Sequence, residues 1–215
     1  MPSAKKSPLF FLSVILFTSF ILFSYLVAKE VFTKIDFDTT VRLQNHISGR
    51  FDLPFSILTL FGSMEITGLI WLAILGYSAL KKHFLTFFAL SLFWAGLALE
   101  VFGKIFLFHP APPFYFYRGE GLVFPSGYIH TNYSYPSGHI YRTAFILSFL
   151  ITSLYLEKTT VRRAVMILSF SAFLAAMFVS RIYLGEHWLS DTFGGLLLGS
   201  ALGIIPALFK PSKNR

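Results

Sequence analysis

Residues 180–191 read Ser180-Arg181-Ile182-Tyr183-Leu184-Gly185-Glu186-His187-Trp188-Leu189-Ser190-Asp191. This segment places an arginine, a histidine and an aspartate at the edge of an apolar stretch of the chain. A charged group beside lipid costs on the order of a few kcal/mol even on lenient insertion scales, so such residues usually mark a functional site. A second polar cluster, Tyr135-Pro136-Ser137-Gly138-His139, lies upstream beside another apolar run. Two histidines at two membrane edges, with basic residues near both, indicate chemistry on a phosphate group.

The composition of the chain is that of a membrane protein. Of its 215 residues, 55% are hydrophobic and only 13% are charged. A soluble domain of this size would have too little polar surface to cover itself. The formal net charge of +8 would suit a nucleic-acid binder, but the Lys and Arg residues are scattered between apolar runs, so we expect no nucleic-acid partner. The absence of cysteine excludes disulfides and thiolate metal sites.

Six apolar segments are each long enough to cross ~30 Å of hydrocarbon as a tilted helix. They lie at about residues 9–28, 55–80, 84–108, 139–156, 164–184 and 191–209. We therefore expect an all-α integral membrane protein, a six-transmembrane-helix bundle that forms a single domain over residues 1–215. The first segment resembles a signal peptide, but its length and the lack of an Ala-x-Ala-like cleavage site favour an uncleaved first helix.

Basic residues between these segments predict the topology. Ten of them fall on alternate connections, at Lys5, Lys6, Lys81, Lys82, Lys158, Arg162, Arg163, Lys210, Lys213 and Arg215. The positive-inside rule makes that side cytoplasmic, together with both termini, in a multi-pass protein of the cell membrane. Segments 29–54, 109–138 and 185–190 then face outward. Segment 29–54 is predicted to hold an interfacial helix, and the Pro- and Tyr-rich segment 109–138 a loop that borders a site.

On this topology, residues with useful chemistry lie at the outer ends of the predicted helices. His187 and Asp191 are four residues apart, so on a helix the carboxylate can accept the proton of one imidazole nitrogen. The other nitrogen is then free to attack, and the carboxylate stabilises the imidazolium that forms. The unperturbed pKa of histidine is near 6.5, so His139 is a candidate to donate a proton to a leaving group. A buried structural histidine is the alternative interpretation of His139.

The Pro136–His139 stretch is predicted to open a helix whose first N–H groups form an anion site. Gly138 lets the backbone approach a ligand closely, and Ser137 is a candidate N-cap, for which simple helix initiation is the alternative. The similar Pro125-Ser126-Gly127 is followed by Tyr128 and supplies no imidazole.

Lys104 and Arg181 would supply positive charge to a phosphoryl transition state. Snorkelling to the membrane surface is the alternative interpretation of both side chains. Neither a His-Glu-x-x-His motif nor a paired Asp cluster occurs, so we expect chemistry without a metal and without any other cofactor.

Together these residues resemble the type 2 phosphatidic acid phosphatase (PAP2) superfamily, whose fold is of the histidine acid phosphatase and haloperoxidase type. Its three signatures read Lys-x6-Arg-Pro, Pro-Ser-Gly-His and Ser-Arg-x5-His-x3-Asp. The second and third are complete here, at residues 136–139 and 180–191. The resemblance implies that His187 is the nucleophile that forms a phosphohistidine, Asp191 its orienting carboxylate, and His139 the acid for the leaving group. It also implies that the phosphate is held by Lys104, Ser137, Gly138 and Arg181.

The first signature departs from the family pattern. Residues 104–112 read Lys104-Ile105-Phe106-Leu107-Phe108-His109-Pro110-Ala111-Pro112, with Ala111 where the phosphate-binding Arg belongs. Losing one donor to the transferring group should cost several kcal/mol unless another group replaces it. The candidate replacements are His109, Arg118 and Arg142. Arg142 lies one turn after His139 on the same predicted helix face.

The resemblance implies a metal-independent membrane phosphatase that acts through a phosphohistidine at the outer leaflet. Its substrate would be a lipid phosphomonoester or diphosphate, such as phosphatidic acid, phosphatidylglycerophosphate or undecaprenyl diphosphate, with the bilayer itself presenting the lipid. Two alternatives remain open. One is a lipid phosphotransferase of the same superfamily, and the other is a lipid-binding membrane protein whose catalysis is weakened by the missing Arg.

Overall fold

The computed structural model describes residues 2–119, 133–157 and 160–211 of the chain. Regular structure in these residues is helical, and no strand occurs among them. The α-helices are α1 (Pro2–Ala28), α2 (Thr33–His46), α3 (Asp52–Leu60), α4 (Met64–Leu80), α5 (Phe84–Ala89), α6 (Leu92–Phe106), α7 (Gly138–Tyr155), α8 (Val161–Tyr183) and α9 (Leu189–Leu208). Single turns of 3₁₀ helix lie at Gly49–Phe51 and Phe114–Phe116. Some predicted features lie outside the described residues, namely Pro125, Ser126, Gly127, Tyr128, Lys158, Lys213 and Arg215.

The predicted count of six spans is not confirmed. By length and composition, four stretches of the described chain can each cross a membrane: Lys5–Ala28, Phe84–Phe106, Val161–Tyr183 and Leu189–Leu208. A fifth span results if Gly49–Leu60 and Met64–Leu80, which are bent by 40° at their junction, are counted as one. The protein is therefore a multi-pass, helical membrane protein.

Helix α7 corresponds to the predicted span 139–156, but it is not apolar enough to count as a membrane-crossing helix by length and composition. It has 18 residues, but His139 and Arg142 in its first turns lower its mean hydropathy. Most of its side chains are buried against other helices rather than exposed on the outside of the bundle. A buried helix can carry such polar groups because protein atoms, and not lipid, surround them.

The span predicted over residues 55–80 is broken at residues 61–63. Ser63 begins α4 as its N-cap, with its hydroxyl accepting a hydrogen bond from the Ile66 N–H at 3.3 Å. Gly62 packs against the ring of His139, where an added Cβ would lie 3.0 Å from two of its carbon atoms. The Gly62 carbonyl also accepts a hydrogen bond from Arg142 at 3.2 Å. In a continuous helix, the Gly62 carbonyl would accept a hydrogen bond from a backbone N–H of the next turn. The break leaves this carbonyl free to accept from Arg142 on α7.

The segment predicted as an interfacial helix, 29–54, contains α2 but is divided further. Helix α2 ends at His46, and a 3₁₀ turn leads into α3, which begins at Asp52. Only the last six residues of the predicted segment, 49–54, therefore belong to the bent unit that contains α3 and α4.

Helices α7 and α9 form the centre of the bundle. Gly195, Gly199 and Gly203 recur every four residues on α9 and face the backbone of α7. A Cβ on Gly199 would overlap the carbonyl oxygen of Tyr141, and one on Gly203 would overlap that of Phe145. Small residues at this spacing let two helix backbones approach closely. This contact sets the position of the two predicted histidine motifs relative to each other, because each motif lies at the N-terminal end of one of these helices.

We expect Gly199→Ala to destabilise the protein, because its methyl group would force α7 away from α9. Overpacking of this kind typically costs about 1–3 kcal/mol of the free energy of unfolding. Gly76→Ala on α4 is the matched control, since no atom lies within 4 Å of the added Cβ. Thermal unfolding in detergent measures both variants. Equal midpoints for Gly199→Ala and the wild type would contradict the close packing of α7 on α9.

Candidate active site

Four helix ends meet at one end of the bundle, the C-terminal ends of α6 and α8 and the N-terminal ends of α7 and α9. The backbone of α7 is tied to that of α9 there, because the Ser137 N–H donates to the Asp191 carbonyl at 2.9 Å. Both histidine motifs therefore belong to one local structure. Its residues were predicted individually from sequence, and the fold brings most of them together.

His187 and Asp191 form a buried hydrogen-bonded pair. The Nδ1 atom of His187 lies 3.2 Å from Oδ2 of Asp191, and the same oxygen accepts the Trp188 N–H at 3.0 Å. The Asp191 side chain is fully buried, and His187 is 8% exposed. Because a carboxylate accepts the Nδ1 proton, Nε2 is the unprotonated nitrogen of a neutral ring.

The surroundings of His187 keep its imidazole neutral. Burial, followed by the charges of Arg181 and Lys104, holds the pKa of His187 well below its usual 6.5. A neutral imidazole with a bare Nε2 is the form that can act as a nucleophile at neutral pH. The environment therefore supplies the reactive state of the ring as well as its orientation.

His139 lies at the start of α7 within electrostatic range of His187, Arg181, Arg142 and Lys104. The preceding Ser137 is buried, and its hydroxyl has no hydrogen-bond partner among the described residues. A buried hydroxyl at a helix N-terminus is a group that an anion can satisfy. Two imidazoles, a free hydroxyl and several cations thus face one small region.

The cations of this region are held by carboxylates. Arg181 is 4% exposed and pairs through Nη2 with Glu186, while its Nε has no hydrogen-bond partner in the described part of the chain. Lys104 pairs with Glu100, four residues earlier on α6, at 2.9 Å. A phosphate is able to replace such carboxylates, because both are anions that accept charge-assisted hydrogen bonds.

Glu100 is a central residue that the sequence reasoning missed. It is 4% exposed and lies 3.1 Å from Arg142 as well as against Lys104. Its carboxylate packs so closely on Gly138 that any Cβ at that position would overlap it. A glutamate within an apolar span was the available signal, since ionisable residues in such spans usually have a function.

The three candidate replacements for the missing motif Arg lie in different places. Arg142 is buried on α7 beside Glu100 and within electrostatic range of His139. Arg118 instead stacks on the ring of Tyr183, with its Cζ 5.3 Å from the ring centroid. His109 lies on the far side of Asp191, with Nε2 3.4 Å from Oδ1 of that carboxylate. Within the described residues, Arg142 is the one of the three whose charge acts on His139.

Asp36 on α2 is the second residue that the sequence reasoning missed. It is 1% exposed and accepts hydrogen bonds from the backbone N–H and the hydroxyl of Ser190, at 2.8 and 2.7 Å. Burial, with a smaller contribution from the charge of Asp191, raises the pKa of Asp36 to about 6. Asp36 lies in the segment predicted to hold an interfacial helix, where an exposed aspartate is common and does not indicate a functional site.

The arrangement suits transfer of a phosphoryl group. It combines a neutral imidazole for attack, a second imidazole for proton transfer, and cations that stabilise negative charge on phosphate oxygens. Within residues 2–119, 133–157 and 160–211, no three His, Cys, Asp or Glu residues are grouped so as to hold a metal ion.

Comparison with known proteins identifies the family and a similar fold. The model of the PAP2 superfamily matches residues 83–215, which include both histidine motifs. The fold is similar to the crystal structure of a transmembrane PAP2-type phosphatidylglycerolphosphate phosphatase from Bacillus subtilis, with a TM-score of 0.70 and 19% sequence identity. That similarity covers 90% of this chain and 93% of the other. No curated protein matches the chain. The resemblance based on the two signatures is confirmed, and the chain belongs to the PAP2 superfamily.

Proposed function

We propose that the protein is a membrane lipid phosphatase that hydrolyses a lipid phosphomonoester or diphosphate through a phosphohistidine on His187. The observation that carries the proposal is the buried His187–Asp191 pair, at 3.2 Å, with His139 and the cations Lys104 and Arg181 in range of it. A neutral imidazole oriented by a carboxylate beside fixed positive charges is suited to nucleophilic attack on phosphorus.

In the first step, Nε2 of His187 attacks the phosphorus atom. The N–P bond forms as the bond from phosphorus to the leaving oxygen breaks. The bound phosphate offsets the charges of Arg181, Arg142 and Lys104, which otherwise disfavour an imidazolium at His139, so that protonated His139 gives its proton to that oxygen. Asp191 keeps the Nδ1 proton and stabilises the positive charge that develops on the ring. In the second step, His139 takes a proton from water, whose oxygen attacks phosphorus, and the N–P bond breaks to release inorganic phosphate and free His187.

Arg142 takes the place of the missing motif Arg in this proposal. It lies one turn below His139 on α7, and its Nη1 is held by Glu100 at 3.1 Å. Glu100 also holds Lys104, so one carboxylate occupies two of the cations that a phosphate needs. A bound phosphate would therefore compete with Glu100 at the N-terminus of α7, next to Gly138.

The substrate would be a lipid, with phosphatidic acid, phosphatidylglycerophosphate and undecaprenyl diphosphate as candidates. Similarity to a phosphatidylglycerolphosphate phosphatase supports this class of substrate. An apolar groove between α4 and α6, lined by residues that include Gly68, Leu72 and Trp94, also supports it. The groove begins at Met64, two residues after the Gly62 that packs on His139, so an apolar chain in it would start near the site.

The site would face the outer leaflet. Paired basic residues lie at the helix ends opposite the histidine motifs, at the start of α1 and α8 and at the end of α4, with Lys210 after α9, whereas the basic residues of segment 29–54 are spread singly. The positive-inside rule assigns that end to the cytoplasm. The two histidines would then lie on the other side, where the lipid phosphate is presented from the outer leaflet.

The test is phosphate release by purified protein in detergent, measured over a panel of lipid monophosphates and diphosphates in the presence of EDTA. We expect turnover of at least one lipid, and a loss of at least about 10³-fold in His187→Ala because the nucleophile is removed. His46→Ala, which removes an exposed histidine on α2, should retain full activity. Undiminished turnover by His187→Ala would contradict the mechanism. Release of phosphate only when an acceptor lipid is added would indicate the phosphotransferase instead.

Glu100→Gln should make inorganic phosphate a stronger inhibitor. The substitution keeps the size of the side chain but removes the negative charge that competes with phosphate for Lys104 and Arg142. We expect the inhibition constant to fall by about tenfold, which corresponds to about 1.4 kcal/mol. Glu157→Gln is the matched control, since Glu157 pairs with Arg163 and Lys210 at the opposite end of the bundle. Unchanged or weaker inhibition in Glu100→Gln would show that phosphate does not displace this carboxylate.

A further inference from the structure

A buried polar cluster lies behind Asp191, on the side away from His187. It consists of Asp36 on α2, His109 after α6, and Ser190 at the start of α9, and is called the Asp36 network below. Asp36 accepts both hydrogen bonds that Ser190 donates, from its N–H at 2.8 Å and its hydroxyl at 2.7 Å. Nε2 of His109 lies 3.0 Å from the Ser190 hydroxyl and 3.4 Å from Oδ1 of Asp191.

The protons in this network can be assigned from the hydrogen bonds. The Ser190 hydroxyl has one proton, and its contact at 2.7 Å with the Asp36 carboxylate uses it. The Ser190 oxygen must then accept from His109, so Nε2 of His109 carries a proton. That N–H also faces Oδ1 of Asp191 at 3.4 Å and Oδ2 of Asp36 at 3.7 Å. His109 is therefore a donor placed between two buried carboxylates.

We infer that Asp36 and His109 are positioning residues for catalysis, which hold Asp191 in the orientation that directs His187 toward the phosphate. This inference rests on the proposed phosphatase function. Oδ2 of Asp191 is committed to His187 and to the Trp188 N–H, so the rotation of the carboxylate depends on what holds Oδ1. Oδ1 of Asp191 has no hydrogen bond of ordinary geometry within the described residues, and the His109 N–H lies 3.4 Å from it. The Ser134 hydroxyl also interacts with this carboxylate, and Asp36 holds His109 in place through Ser190.

The network is itself fixed on several sides. The carbonyl of His109 accepts the N–H and the hydroxyl of Ser134, at 3.0 and 3.1 Å. The His109 ring packs edge-on against Tyr135, whose hydroxyl is 2.8 Å from that of Ser24 on α1. A ring held by its backbone and by an aromatic neighbour has few alternative rotamers. The network can therefore act as a rigid support, as partners of ligating histidines do at metal sites.

The burial of Asp36 indicates that this support serves function. Asp36 keeps a carboxylate at 1% exposure, although burial raises its pKa to about 6 and so disfavours its charged form. Asp36 also lies outside residues 83–215, the part of the chain that matches the family. The N-terminal third of the chain thus supplies a carboxylate that is connected to Asp191 through Ser190 and His109.

The experiment compares kcat and KM of the full-length protein in detergent for Asp36→Asn, His109→Leu and the wild type. We expect kcat to fall by about tenfold to a hundredfold in both variants while KM changes by less than about twofold. His109→Gln keeps an N–H donor and should recover part of the lost kcat. Asp38→Asn, which changes an aspartate on the same helix outside the network, should match the wild type.

A second measurement reads the position of the proton on His187 and needs no turnover. In protein labelled with ¹⁵N-histidine, the His187 signal is identified by its loss in His187→Gln. We expect a proton on Nδ1 and a bare Nε2 in the wild type, and a mixture of both tautomers in Asp36→Asn and His109→Leu. A purely structural role would leave this tautomer unchanged in the fraction of protein that stays folded.

The outcomes separate the inference from the proposed function. If the wild type releases no phosphate from any lipid, the proposed function fails, and the NMR result alone decides whether the network orients His187. If the wild type is active but both variants retain its kcat and its His187 tautomer, the positioning role is wrong, while the proposed phosphatase function is supported. Loss of kcat with an unchanged tautomer would also contradict the inference.

Discussion

The close approach of α7 to α9 is the constraint on which the rest of the structure depends. Glycines at 195, 199 and 203 let the two helix backbones touch, and the Ser137 N–H bonds to the Asp191 carbonyl at the end of this contact. One helix carries His139 and the other begins just after His187. Because helix packing is rigid over several turns, the separation of the two imidazoles is fixed by glycines in the middle of the helix contact.

The Lys and Arg side chains of the site are paired with carboxylates before any ligand arrives. Glu100 holds Lys104 and Arg142, Glu186 holds Arg181, and His109 lies between Asp36 and Asp191. An unpaired charge at this depth would be costly, so each cation of the site needs an anion when phosphate is absent. The same pairing favours anionic ligands that can exchange with a carboxylate. In the proposed function, folding and phosphate recognition would therefore use one set of cations.

Much of this site could be predicted from sequence because its chemistry is concentrated in two short motifs. The spacing of His187 and Asp191 predicts their contact directly, and the helix that follows Pro136 begins at Gly138 as expected. The site residues that the sequence did not predict, such as Asp36 and Glu100, are brought to the site by packing between segments distant in the chain. Asp36 and Ser190 are 154 residues apart, and Arg142 and Glu100 are 42 apart, so no local pattern relates them. The break at residues 61–63 was missed for a similar reason, since the partners of Gly62 are His139 and Arg142.

The most direct measurement is to identify the residue that carries the phosphoryl group during turnover. The protein would be mixed with a lipid phosphate labelled with ³²P, quenched rapidly at alkaline pH, digested and mapped by mass spectrometry. We expect an acid-labile, alkali-stable label on the peptide that contains His187, and no label in His187→Ala. Label on a different residue, or phosphate release at the full rate by a protein that never becomes labelled, would contradict a mechanism based on this imidazole.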